Sequence, residues 1–245
     1  MANPNNKPIL FTSLSPALLN LYDINSSIVV IIDILRATST IATALHNGAK
    51  EIIPVDSVPE CIRIGKQMGA ITAGERDGKV AEGLQHGNSP MEYPSSFISG
   101  KTLVLTTTNG TKLLHMALEK GADQIITGAF SNLDIVCDYL LHQKKNVLLA
   151  CSAWINRINL EDTLFAGAVI HKIGKHFNIN CDASNIALSI YKEAGTDLFT
   201  YIKEKPASHY LRLSSFGMEN DIKYCLLPNT APILPFYESG RLLKG

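Results

Sequence analysis

The sequence carries no net charge, because 22 Lys and Arg balance 22 Asp and Glu over 245 residues. Gripping DNA or RNA through counterion release needs a surplus of basic residues, so nucleic acid is not an expected partner. Charge of either sign is scarce, at 18% against roughly 25% in typical soluble domains. With 46% hydrophobic residues, that excludes disorder over most of the length. The five cysteines, Cys61, Cys137, Cys151, Cys181 and Cys225, include no CxxC and are odd in number. A disulfide framework and a Cys-built zinc site are therefore excluded, leaving reduced, mostly buried thiols. The seven histidines form neither HxH nor HExxH, so a His-built metal site has no support. GxxxxGK[ST] and GxGxxG are both missing, which removes the P-loop and the dinucleotide fingerprint. No apolar run is long enough to span a bilayer, since Ile28–Leu35 is short and interrupted by Asp33. The opening MANPNNKPILF has none of the three regions of a signal peptide. The expectation is a soluble, cytoplasmic protein with no membrane partner, in which any bound anion is held by a local cluster.

What is present alternates. SIVVIIDIL (27–35) is a β-branched run of the kind buried on both faces of a parallel sheet. A helix is expected over Thr38–Asn47, ended by Gly48, with a strand at Glu51–Val55. The same order recurs as a strand at Thr102–Thr107, a helix at Thr111–Lys120, a stop at Gly121 and a strand at Gln124–Thr127. Without a gap, Ala44, Leu45, Gly48, Ala49, Ile52 and Ile53 superpose on Ala117, Leu118, Gly121, Ala122, Ile125 and Ile126. An internal repeat of about 28–55 and 101–128 accounts for this, as do two independent units with common helix-stop chemistry. A strand at Asn146–Cys151 and a helix from Leu160, with Asn159 at its N-cap, follow. Residues 183–216 read as mainly helical, broken near Gly195 and at Pro206, and the Pro-rich tail as extended. The fold class is α/β, a layered α/β/α domain over 1–245 with a largely parallel or mixed sheet.

In such sheets ligands bind beyond the carboxyl ends of the strands. There the first unit runs Asp33-Ile34-Leu35-Arg36-Ala37-Thr38-Ser39 and the second Thr107-Thr108-Asn109-Gly110-Thr111. Both place hydroxyls and small residues at a helix N-terminus, which suits an anion, and Arg36 adds a bidentate partner. Ordinary N-capping is the alternative use of those hydroxyls. Asp33 is the odd residue, a carboxylate in a run that otherwise reads as core. Ala73-Gly74-Glu75-Arg76-Asp77-Gly78 reads as a glycine-rich turn, with Glu75 for a cation and Arg76 for an anion, or as a solvated ion pair. Asn88 and Ser89 form a turn that can face the site or be a plain Asx turn. Glu161 and Asp162 open a helix on the ligand side, where acidic residues also serve the dipole. Arg157 is a third candidate anion contact, and Trp154 reads as packing rather than stacking.

The segments IIDILRATSTIATALHNGAKEIIPV, AGERDGKVAEGLQHGNSPMEY, GKTLVLTTTNGTKLL, INLEDTLFAGAVI, MENDIKYCL and PILPF together resemble the 2-phosphosulfolactate phosphatase family. The resemblance implies Mg²⁺-dependent conversion of 2-phosphosulfolactate to sulfolactate and phosphate, as in coenzyme M biosynthesis. A substrate with phosphate, sulfonate and carboxylate groups needs several donors, which Arg36, Arg76, Arg157 and the two hydroxyl loops supply. Asp33, Glu75 and Asp162 are the expected Mg²⁺ ligands, since this ion prefers oxygen and keeps waters. Glu161 or Glu75 is the candidate general base, and a phosphoenzyme on Asp33 competes with direct attack by water. A phosphatase for another small phosphorylated acid and a non-catalytic anion-binding protein are the alternative readings. A homodimer is the base-rate expectation for a soluble enzyme.

Overall fold

The computed structural model describes residues 7–76, 78–205 and 207–245. Asp77 of the glycine-rich segment, the expected break at Pro206 and most of the opening peptide, 1–6, lie outside the described residues. In chain order the strands are β1 (Leu10–Ser13), β2 (Ser27–Ile32), β3 (Glu51–Pro54), β4 (Ile71–Arg76), β5 (Lys79–Val80), β6 (Thr102–Thr106), β7 (Gln124–Gly128), β8 (Asn146–Cys151), β9 (Pro235–Glu238) and β10 (Arg241–Lys244). The helices are α1 (Ala37–His46), α2 (Val58–Met68), α3 (Ser95–Ile98), α4 (Gly110–Glu119), α5 (Leu133–Gln143), α6 (Leu160–Ile173), α7 (Asp182–Ala194), α8 (Leu198–Glu204), α9 (Ser208–Ser215) and α10 (Glu219–Cys225).

The strands form one mixed sheet in the order β1-β8-β2-β7-β9-β10-β3-β6-β4-β5. β2 runs parallel to β7 and β8, and β6 parallel to β3 and β4. Each residue of β2 is buried, as its uninterrupted β-branched run requires. Ile28, Val30 and Ile32 pack on the face covered by α5 and α6, through Val136, Leu140, Leu164 and Val169. Val29 and Ile31 pack on the other, against Ile41 and Leu45 of α1 and Leu113 and Leu114 of α4. That alternation is the strand period of two, and it makes the α/β/α layering. At roughly 1.5–3 kcal/mol for each fully buried aliphatic side chain, this strand is a main source of the core's stability.

The two similar units hold exchanged places: β2 of the first pairs β7 of the second, and β6 of the second pairs β3 of the first. Gly48 and Gly121, the expected stops, take φ of +98° and +81° just past α1 and α4. The Pro-rich tail is extended, and its hairpin β9–β10 joins the two parallel sets of strands. It meets β7 only at Ile126–Phe236 and β3 only at Ile52–Leu242.

One segment differs from its expectation. Residues 71–76 are strand β4 rather than a turn. Gly74 serves close packing there, because a Cβ would come 2.2 Å from the Thr106 carbonyl oxygen of β6. All five cysteines are free, four buried and Cys181 half-buried. Among the described residues, no helix is long and apolar enough to cross a membrane.

Candidate active site

Asp33 is the first residue past β2, and its loop is held by hydroxyls and by a second carboxylate. The Asp33 N–H donates to Thr38 Oγ1 (3.1 Å), and that hydroxyl donates to the Asp33 carbonyl (2.9 Å). Ser39 Oγ donates to the Ile34 carbonyl at 2.8 Å. The second unit repeats the device: Thr107 N–H donates to Thr111 Oγ1, and Thr111 N–H to Thr107 Oγ1, both at 3.1 Å. Thr38, Ser39, Thr107 and Thr111 are thus buried, and their hydroxyls take part in shaping the loops. The Leu35–Arg36 peptide between them is cis.

Asp162 underlies the same loop. Its Oδ1 accepts from Ile34 N–H at 2.9 Å. Its Oδ2 accepts from Ser152 Oγ, Ala153 N–H and Asn159 Nδ2 at 3.0–3.2 Å. These four donors make Asp162, an expected Mg²⁺ ligand, also a tie between β2, β8 and α6. Asn159 stands at the N-cap of α6, but it gives its side chain to Asp162 rather than to the helix. Burial, then the charges of Glu161 and Asp33, push the Asp162 carboxyl above the usual range against these hydrogen bonds.

Asp33, in contrast, has one engaged carboxyl oxygen, Oδ1, which accepts from Ala37 N–H at 3.2 Å. Burial raises its pKa from 3.8 to about 6; His209 pulls it down and Glu75 pushes it up. Its Oδ2 faces Gly110 of the second unit, where a Cβ would lie 2.7 Å away. A glycine is required there for the two loops to meet.

Glu75, next to the last residue of β4, lines the same pocket, its oxygens taking Thr108 N–H and Gly78 N–H, each at 3.0 Å. Burial pushes its carboxyl up, but these amides and the Arg212 charge outweigh it and hold the group below the usual range. That makes it a fixed anion and a poor proton acceptor. Arg76, one residue on, points the other way along the pleat. It bonds the Glu75 carbonyl and Thr106 Oγ1 and borders a separate groove with Lys112 and His115. Arg76 and Glu75, expected at one site, thus line different pockets.

The side of the pocket that sequence reasoning missed comes from α9 and α10. His209 Nδ1–H donates to Glu161 Oε1 at 2.5 Å, with both groups almost wholly buried. Arg212 donates through its terminal nitrogen to His209 Nε2 at 3.3 Å. Trp154 is not mere packing: its ring stacks on His209 at 6.1 Å and 13°, and the Arg212 guanidinium sits 5.3 Å from its centroid. Arg36 is buried and paired with Asp221 of α10, which also accepts from Ser89 Oγ at 2.9 Å. Ser89 therefore acts through Asp221. Arg157 is exposed, joined to Trp154 only by backbone bonds, and does not reach the pocket. Glu161, a candidate general base, is placed against a buried imidazole.

Asp33, Arg36, Glu75, Gly78, Asn88, Asn109, His209 and Arg212 line one pocket. Two buried polar atoms at its walls, Asn88 Oδ1 and Arg212 Nε, have no partner among the described residues. Unsatisfied groups of this kind cost stability and mark a place where a ligand completes the bonding. Among the described residues no three His, Cys, Asp or Glu side chains converge as a metal cage. His209, Arg212 and Asp221 carried no signal of their own, because a His and an Arg three apart on a helix are ordinary surface residues until something packs on them.

A family model described as 2-phosphosulpholactate phosphatase matches residues 13–240. A Thermotoga maritima protein named probable 2-phosphosulfolactate phosphatase is 41% identical over 211 residues, covering 86% of this chain and 89% of its own. Proteins of the same name from Caldanaerobacter subterraneus and Clostridium beijerinckii are 36% and 35% identical; each match covers 89% of this chain, and 90% and 92% of theirs. With the match spanning both loops, β4 and the α9–α10 wall of the pocket, this chain belongs to the 2-phosphosulfolactate phosphatase family.

Proposed function

We propose that this chain hydrolyses 2-phosphosulfolactate to sulfolactate and phosphate with Mg²⁺ as its cofactor. The pocket supports this: two buried carboxylates, two guanidiniums and a carboxylate-held imidazole share a small space at the carboxyl ends of β2, β4 and β6. A small acid with several oxyanions suits that lining, and a neutral protein surface does not oppose it.

Mg²⁺ binds through one or two carboxylates plus substrate phosphate, so a three-carboxylate cage is not needed. Asp33 has an oxygen without a hydrogen-bond donor and a pKa raised by burial, and Asn88 Oδ1 is an unpartnered hard oxygen on the same pocket. These residues fit the ion, with Glu75 as the neighbouring anion. When bound, Mg²⁺ neutralises phosphoryl charge. Arg36, anchored by Asp221, has donors to spare for phosphoryl oxygens. The attacking water loses a proton and the departing sulfolactate oxygen gains one. His209 Nε2 takes and returns that proton, while Glu161 fixes the tautomer and stabilises the imidazolium.

The direct test is phosphate release from 2-phosphosulfolactate by chelator-treated protein, with and without added Mg²⁺. Release restored by Mg²⁺, and faster than on a panel of other phosphomonoesters, is the expected result. Sulfolactate binding with no release at saturating Mg²⁺ would instead make this an anion-binding protein. A readout apart from activity is the melting curve. A ligand held at 100 times its Kd adds about 2.7 kcal/mol, so Mg²⁺ should raise the midpoint of the wild type by several degrees and leave Asp33→Asn unmoved.

Gly110→Ala tests the meeting of the two loops. The added methyl would lie 2.7 Å from Asp33 Oδ2 and 2.9 Å from Ala37 Cβ, so Asp33 must shift. Displacing a reacting group by about 1 Å costs roughly 10²-fold in rate. A fall of that size in kcat with an unchanged far-ultraviolet spectrum is expected; wild-type kcat would remove Asp33 from the reacting geometry.

A further inference from the structure

We propose that Arg212 binds the second oxyanion of the substrate, sulfonate or carboxylate, and that engaging it releases Nε2 of His209; this rests on the phosphatase reading above. The two guanidiniums of the pocket are held differently. Arg36 belongs to the Asp33 loop and is tied down by Asp221 and by the Gly78 carbonyl. It therefore stays beside the phosphoryl site. Arg212 comes from α9, across the pocket, with one terminal nitrogen on His209 Nε2 and a buried Nε that has no partner among the described residues. Its other terminal nitrogen approaches Gly78, to whose carbonyl Arg36 also donates, so the two cations flank the same turn.

With Nδ1–H given to Glu161, the lone pair of His209 is on Nε2, and Arg212 occupies it. An occupied lone pair cannot accept a proton. A ligand oxyanion competes for the guanidinium as an ion pair that can take two parallel N–H donors, which one neutral imidazole nitrogen cannot. It also satisfies the orphaned Nε–H. The oxyanion that confers specificity thus switches on the base, and a bare phosphomonoester without that group leaves His209 capped. Arg212 is a specificity-determining residue on this account.

Trp154, the single tryptophan, reports the event, since it stacks on His209 and lies under Arg212. The experiment titrates sulfolactate, which has no phosphoryl group, into wild type, Arg212→Gln and Arg212→Lys while following Trp154 emission. It then compares kcat/KM for 2-phosphosulfolactate with two analogues, 2-phospholactate without the sulfonate and 2-sulfoethyl phosphate without the carboxylate. A saturable emission change is expected in the wild type, at least about 10-fold weaker in Arg212→Gln. A wild-type preference over one analogue of about 10²-fold or more is expected to collapse below about 10-fold in Arg212→Gln, through kcat as well as KM. Arg212→Lys retains the charge and the fold but not the fork, and is expected to fall between. Equal losses on all three substrates, or unchanged sulfolactate binding in Arg212→Gln, overturn the proposal. Absence of phosphate release by the wild type would defeat the phosphatase reading instead, and the emission titration would still decide the role of Arg212.

Discussion

Asp33→Asn is expected to lose phosphate release by at least about 10³-fold and, at neutral pH, to melt at a higher temperature than the wild type. The two effects have one cause. Asp33 is a buried carboxylate, and its burial outweighs the pull of His209 and raises its pKa from 3.8 to about 6. A group whose folded pKa is raised contributes stability that is complete below the unfolded value and lost as pH rises through the folded one. For Asp33 that window runs from about 3.8 to about 6, and about 2 pH units at 1.36 kcal/mol each amount to about 3 kcal/mol. Asparagine keeps an oxygen for the Ala37 amide and carries no charge, so the variant avoids the loss. In metal-free protein the difference in midpoint should be near zero below about pH 3.8, be about half developed at pH 5 and level off at several degrees by pH 7.5, at about 2–4 °C per kcal/mol for a chain of this length. Stability given up at one residue for its chemistry is the usual trade at an active site. Near-normal turnover would remove Asp33 from the mechanism, and a midpoint difference that is flat from pH 5 to 8 would contradict its raised pKa.

The second large effect is at His209. His209→Asn should lower kcat by about 10²–10⁴-fold, the usual contribution of a positioned acid or base. It also strands Glu161, which is wholly buried, loses its Oε1 partner, and has an Oε2 that is already unpartnered. Removing one member of a buried pair costs about 3–5 kcal/mol, so this variant should melt well below the wild type. The double variant His209→Asn with Glu161→Gln removes the stranded charge. It should recover most of the midpoint and none of the activity, which separates chemistry from folding. Glu161→Gln alone keeps a hydrogen-bonding partner for the ring, so it should fold normally, lower kcat with little change in KM, and shift the pH profile. A double variant as unstable as His209→Asn would mean that the charge of Glu161 is not what destabilises it. A His209→Asn protein that folds and turns over normally would place the proton transfer elsewhere.

The residues that were legible in the sequence share a property: their signal is local. The β-branched run of β2, the glycine stops after α1 and α4, and the hydroxyl-rich loops all follow from spacing within a few residues. Asp33 was visible as a carboxylate in an otherwise apolar run. Glu75 was visible too, but in the wrong element. Gly74 looks like a turn residue, and its reason, the approach of the Thr106 carbonyl, lies in a strand about thirty residues away.

The sequence by itself determined the α/β class, the excluded chemistries, the family resemblance and the end of the sheet at which the site sits. The tertiary structure alone decided which side chains share the pocket. Glu75 and Arg76 are neighbours that the pleat sends to opposite sides, so one lines the site and the other does not. Asp162 and Glu161 are neighbours too, one taking four donors and the other held on His209. Arg157 is left outside, while Arg212 and His209 arrive from a helix far along the chain. Periodicity records which face of an element is apolar. It does not record which distant element will cover a given polar atom, and in this pocket that pairing sets both the charge state of Asp33 and the lone pair of His209.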